Sequence, residues 1–215
     1  MLAVAVISIT PTTYASDEPL MAPINKFPKF GSLGRPIAKE LSELLDINYY
    51  DRDIVEETAK KMGMTVSEVS NEEEVAKTPF FKMGFPLGMG TSAKQDEIFS
   101  MQAKIIRELA DKESCIIVGR CSDYVLRNYK NAIHVFIYAP YEARLRNCVD
   151  LLHLDMENAK KEIQEVDKAR DAYHMRYAKF LPSDFNHKNV MVDSSLFGVE
   201  GTAKALARMI QERMG

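Results

Sequence analysis

FGSLGRPIAKEL, Phe30 to Leu41, sets two glycines, a serine and an arginine directly ahead of an apolar spacing of helical period. Glycines let a backbone turn tightly and approach a ligand closely, and the first amides of a helix present unpaired N–H groups, so a loop of this kind is a ready anion site. Gly31, Ser32 and Gly34 supply the backbone donors in this reading and Arg35 the cation. Pro36 is expected at the first helical position, where proline is favoured, but it removes one donor, and Leu33 places a side chain where close approach prefers none. Arginine is also no simple lysine substitute, because its planar fork favours bidentate contact. The competing reading is a glycine turn that opens an ordinary helix.

Around this loop the chain alternates apolar runs with helical patterns. Ala3–Thr10, Ser114–Gly119, Ile133–Ala139 and Asn189–Asp193 read as buried strands, with Ile47–Asp51 a weaker fifth. Runs rich in Val and Ile suit strands covered on both faces. Ile37, Leu41, Leu44 and Leu45 share one helix face, as do Ile98, Ile105, Ile106 and Leu109. Thr65 and Glu68 form a capping-box pair. Helices are expected from Pro140 to Leu151, Asp155 to Tyr173 and Gly198 to Met214. The pattern predicts one α/β domain over residues 1–215, a doubly wound parallel sheet of about five strands with helices on both faces and a helical lid. Residues 11–28 are read as an inserted loop. Residues 78–92, with Phe80, Phe81, Met83 and Phe85 among glycines, are read as a mobile cover, a homodimer contact or a loop tucked into the core.

The 215 residues carry a formal charge of -3 and are 46% hydrophobic, which excludes disordered and collagen-like classes and gives no overall basic field for nucleic acid. Cys115, Cys121 and Cys148 are odd in number and lack metal-ligand spacing, so a reducing cytoplasm is expected. The apolar MLAVAVISIT has no Lys or Arg before Lys26, which argues against a secretory signal, and no other stretch is apolar enough to span a membrane. No metal-ligating residues are expected, His134, His153, His174 and His187 are scattered, and no G-x-S-x-G elbow occurs.

Further candidates lie at strand ends. IIVGRCSDY presents Arg120 at a carboxyl edge with Asp123 on the next turn; a solvated arginine capping a strand is the alternative. Arg144 and Arg146, then Asp167, Lys168 and Arg170, lie on successive helices, where they either fold over phosphates or line solvated faces. In YYDR, Asp51 caps a helix or binds a substrate hydroxyl, with Arg52 beside it.

Taken in order, FGSLGRPIAKELSELLDINYYDRDIVEETAKKMG, CIIVGRCSDYVL, HVFIYAPYEARLR, VDKARDAYH and VMVDSS resemble the cytidylate kinase-like family, a branch of the P-loop nucleoside monophosphate kinases. The resemblance implies ATP-dependent transfer of a phosphoryl group, with Mg²⁺, to a nucleoside monophosphate such as CMP or dCMP. It implies donor phosphates held by Gly31, Ser32, Gly34 and Arg35, an acceptor site of Asp51, Arg52, Arg120 and Asp123, and a lid over about residues 144–185 carrying Arg144, Asp167 and Arg170. Catalysis by Arg35, Arg120, Arg144, Arg170 and Asp167 would then be positioning and charge neutralisation. Leu33 and Pro36 depart from the family's loop, Val118 and Cys121 stand where true cytidylate kinases carry aspartates, and no Mg²⁺-binding Ser or Thr follows Arg35. Two other readings stay open: a non-catalytic nucleotide-binding or regulatory module with a degenerate loop, and a kinase for another small phosphate acceptor.

Overall fold

The structure, a computed structural model, describes residues 4–8, 24–27, 30–66, 68–69, 92–151 and 153–214. In chain order the main elements are β1 (Val4–Ser8), β2 (Ile24–Phe27), α1 (Gly34–Leu45), β3 (Asn48–Tyr50), α2 (Arg52–Met62), α3 (Ser92–Lys112), β4 (Cys115–Ile117), α4 (Ser122–Val125), β5 (Ala132–Tyr138), α5 (Tyr141–Asp150), α6 (Met156–Tyr177), β6 (Val190–Asp193) and α7 (Ser194–Met214). Helix α7 is broken at Gly198, whose φ of 63° is left-handed.

The expected doubly wound parallel sheet of about five strands is not found. Parallel pairing over more than one residue occurs in two short two-strand ladders, β3 with β4 and β5 with β6. Between them β1 runs antiparallel to β2, β4 and β5, and β2 meets β4 and β5 through single residue pairs, giving the order β3-β4-β1-β2-β5-β6. The reason is one of connection. A parallel neighbour needs a long crossover, usually a helix, and the Pro-, Thr- and Ser-rich stretch between Ser8 and Ile24 offers no helical pattern. Apolar runs carry no information about strand direction. The strand β2 itself, INKF, falls inside the segment expected as a loop, because the adjacent polar pair Asn25 and Lys26 at its centre hides it from a search for Val- and Ile-rich runs. The rest of that segment, and residues 78–91 of the apolar stretch, lie outside the described residues.

The strands do separate two apolar clusters. Along β5, Ile133, Val135 and Ile137 pack with Ile37, Leu41 and Leu45 of α1 and with Leu206 and Ile210 of α7, whereas Ala132 and Phe136 pack with α3 and with Tyr173 of α6. The period of two that puts alternate side chains on opposite faces assigns each helix its side. Leu44, expected on the apolar face of α1, is exposed instead. The capping box forms as expected: the Thr65 hydroxyl accepts from the Glu68 amide at 3.1 Å, and the Thr65 amide donates to the Glu68 carboxylate at 2.7 Å. Asp155 caps α6 by accepting from the amides of Glu157 and Asn158. Among the described residues no helix is long and apolar enough to cross a membrane.

One strand residue gives the fold a pH dependence. Burial pushes His134 on β5 down to about 4, and Lys188 and His187 push the same way against the attraction of Asp123. Below an ordinary value of roughly 6.5 the unfolded chain takes up a proton that the folded chain refuses, so stability falls as pH drops from there to about 4. His134→Gln removes that difference. Urea unfolding at steps between those limits is expected to show the wild type losing about 2 kcal/mol more than the variant. Parallel pH profiles would refute this origin.

Candidate functional site

The glycine loop leaves β2 and enters α1 through a sharp bend. Gly31 has a φ of 83° and Leu33 one of 58°, an uncommon conformation for a leucine. A side chain on Gly31 would meet the carbonyl oxygen of Arg144 at 2.6 Å and the Cys148 sulfur at 2.9 Å, so the loop lies directly on α5. Asn147 Nδ2 donates to the Gly31 carbonyl at 2.7 Å. On the other side the Ser194 hydroxyl, at the start of α7, lies 2.8 Å from the Ser32 carbonyl and 3.0 Å from that of Tyr138, tying the loop to the end of β5.

Two expectations about the loop change here. Leu33 does not crowd the loop mouth, because its side chain packs against the α1–α7 apolar cluster. Pro36 is the third helical residue rather than the first, since α1 begins at Gly34. It still lies in the first turn, where an N–H has no partner within the helix, so the proline costs the helix no hydrogen bond while removing one donor from its end.

Three elements bring cations to the loop. Arg120 follows β4, Arg144 lies on α5 and Arg170 on α6; they are 2%, 2% and 4% exposed. With Arg35 at the head of α1, they meet two carboxylates. Arg35 Nε lies 2.5 Å from Asp51 Oδ2, and its Nη2 donates to Oδ1 at 3.3 Å. Arg120 Nη2 stands 3.9 Å from that same Oδ1. Arg144 Nη1 donates to Asp167 Oδ2 at 2.7 Å. Arg170 is attracted by Asp167 and Asp51 and repelled by Arg35 and Arg144, and burial above all lowers it to about 9. Glu162 is buried too; burial pushes the Cys148 thiol up, and the charge of Glu162 pushes it the same way. Four guanidinium groups from four segments thus share one interior region with Asp51 and Asp167. Charges taken from water this way are costly unless fully paired. Among the described residues, neither Nε nor Nη2 of Arg120 has a hydrogen-bond partner.

Other predicted residues fall elsewhere. Asp51 precedes α2 but its side chain makes no capping bond; its carboxylate is taken by Arg35. Arg52, Arg146 and Lys168 are exposed. Asp123 is enclosed by another set: His174 Nε2 is 3.0 Å from both of its oxygens and Lys188 Nζ donates to Oδ2 at 2.6 Å. Burial alone would raise the Asp123 carboxyl, but these two neighbours outweigh it and hold the group far below the usual carboxylate range. His174, set aside with the other scattered histidines, was missed; the available signal was its spacing of one helical turn from Arg170. Asn147 and Ser194 were missed as well, and nothing local marks either. Among the described residues no group of three His, Cys, Asp or Glu is arranged to hold a metal ion.

Fold and site together define a mostly helical protein around a small mixed sheet, in which a glycine loop and a converging set of buried arginines form a place suited to a multiply charged anion. The chain belongs to the cytidylate kinase-like family, which it matches over residues 27–196. Among solved structures it is similar to the crystal structure of an uncharacterized protein from Eubacterium ventriosum ATCC 27560. That protein is 23% identical, with a TM-score of 0.61 over 87% of this chain and 94% of that one, a likeness of fold. A search of curated proteins found no match.

Proposed function

We propose that the chain transfers a phosphoryl group from ATP to a nucleoside monophosphate, with CMP or dCMP as the acceptor. The observation that carries this reading is Arg120, a buried cation with only a distant carboxylate and two nitrogen atoms lacking hydrogen-bond partners among the described residues. A phosphate oxygen supplies what that guanidinium lacks, in the bidentate manner arginine favours.

ATP would bring the transferable group and Mg²⁺ would ride on its phosphates, since magnesium commonly takes one or two carboxylates and substrate oxygens rather than a protein cage. Asp51 and Asp167 are the carboxylates at hand. The chain's own part is electrostatic: Arg35 and the loop amides hold donor phosphates, Arg120 holds the acceptor phosphate, and Arg144 and Arg170 neutralise charge that spreads over the group in transit. Three buried, unbridged cysteines support a cytoplasmic setting.

A second reading is favoured by one feature. Arg35 is already engaged by Asp51, and the inner side of Gly31 is filled by α5, which suits a site that binds a nucleotide without turning it over. A phosphoryl-transfer assay of the full chain with ATP and Mg²⁺ against CMP, dCMP, UMP, AMP and GMP separates the two. Turnover of CMP or dCMP that drops at least ~100-fold in Arg35→Ala is expected. Binding without turnover of any monophosphate would move the assignment to the second reading.

A further inference from the structure

We propose that Asp123 and His174 form a buried joint that fixes the position of Arg120 relative to Arg170, which makes both of them positioning residues; the inference rests on reading the arginine cluster as the phosphate site.

Gly119, Arg120 and Cys121 have successive φ values of 88°, 62° and 51°, so Arg120 is carried on a turn in which two non-glycine residues are left-handed. Such a conformation costs on the order of 1 kcal/mol or more per residue and persists only where its surroundings impose it. Part of the restraint is local. The Ser122 amide donates to the Gly119 carbonyl at 3.2 Å, and the Ser122 hydroxyl donates to the same oxygen. The rest comes from Asp123, three residues beyond Arg120. Its carboxylate accepts from the Tyr124 amide at 2.9 Å and meets His174 and Lys188.

His174 stands one turn after Arg170 on the same face of α6, and both are buried. Its other ring nitrogen, Nδ1, lies 2.7 Å from the Phe180 carbonyl. Because a carbonyl only accepts, Nδ1 carries the hydrogen there, and the ring is held at both ends. Through this ring the turn bearing Arg120 and the helix bearing Arg170 are tied at a single buried contact. Lys188, whose side chain is fully buried, binds the same Asp123 oxygen from the approach to β6 and anchors the carboxylate from a third segment. Two arginines that must hold the acceptor phosphate and the group in transit from different segments need such a fixed separation, since displacement of a catalytic group by about 1 Å can cost ~100-fold in rate.

The test uses the full chain as wild type, His174→Gln and Asp123→Asn, with hydrogen exchange read at residues 119–124 and 168–174 alongside kcat and KM for the nucleotide substrates. In the variants both segments are expected to exchange faster together while the α1–α7 region does not change. At a temperature where the variants are folded, kcat should fall ~10- to 100-fold with KM altered less than threefold. A merely structural role would lower stability and leave the kcat of the folded fraction in place. Unchanged exchange at either segment, or an unchanged kcat, in folded His174→Gln overturns the proposal. Should Asp123→Asn fail to fold, His174→Gln decides alone. An inactive wild type would sink the kinase reading, and the joint would then stand or fall on the exchange data.

Discussion

Replacing Arg120 by methionine is expected to stabilise the unliganded chain by about 1–2 kcal/mol and to lower phosphoryl transfer by ~10²- to 10³-fold. The two effects have opposite signs because the residue is a poor structural element and a good anion ligand. Its guanidinium is buried, its nearest carboxylate atom is 3.9 Å away, and that carboxylate already has Arg35. Methionine has a similar length, accepts the same left-handed backbone no less readily than arginine, and removes a desolvated charge from an interior crowded with like charges. Asp51 keeps its close partner, so no carboxylate is stranded. Equilibrium unfolding in phosphate-free buffer and turnover at saturating substrate measure the two halves. A loss of more than about 2 kcal/mol in Arg120→Met would show that Arg120 holds the fold together and would remove the argument for a ligand at this position.

The second large effect belongs to Gly31→Ala, which should cost about 3 kcal/mol. Roughly 1 kcal/mol comes from the left-handed φ of 83° and the remainder from driving a methyl group into the Arg144 carbonyl at 2.6 Å. That oxygen belongs to the backbone of α5 and cannot swing aside. The Cys148 sulfur, at 2.9 Å, can be removed, so adding Cys148→Ala to the variant is expected to recover only a minor part of the loss. Denaturant midpoints of wild type, single and double variants read this directly. A loss under 1 kcal/mol in Gly31→Ala would mean that loop and helix separate easily, contrary to the packing described.

These two positions mark how far the sequence could be read. The residue types gathered here were legible: Arg35 and Arg120 beside glycines, and Arg144 and Arg170 on successive helices, were read either as phosphate ligands or as solvated faces, and the four do converge in the interior. The partner of each was not legible, because ion pairs between Arg35 and Asp51 or Arg144 and Asp167 join residues 16 and 23 apart through folding. Gly31 was read as room for a phosphate, whereas the close neighbour is a helix, and a glycine answers either need with the same absence of Cβ. Asp123 was read as facing substrate; its true neighbours come from the end of α6 and the approach to β6, more than fifty residues away. In the fold, helix starts with side-chain caps at Asp155 and Thr65 were readable from local chemistry. The direction of β1 was not, since an alternating or continuous apolar run looks the same from either end, and this one strand turns the expected parallel sheet into a mixed one.

The retained convergence of cations also bears on stability and function as opposed demands. A cluster that burial disfavours, to the point of lowering Arg170 to about 9, is poorly explained by folding alone and well explained by an anion that completes it. Ligand binding should therefore stabilise the chain more than the ligand's contacts with its exposed surface would suggest.

The most direct test of this account is a calorimetric titration of wild type and Arg120→Met with ATP and with CMP under one buffer and salt condition. The wild type is expected to bind CMP, and Arg120→Met to bind it at least tenfold more weakly. Equal affinity in the two proteins, or no binding by the wild type, would contradict the claim that the buried arginines form a nucleotide phosphate site.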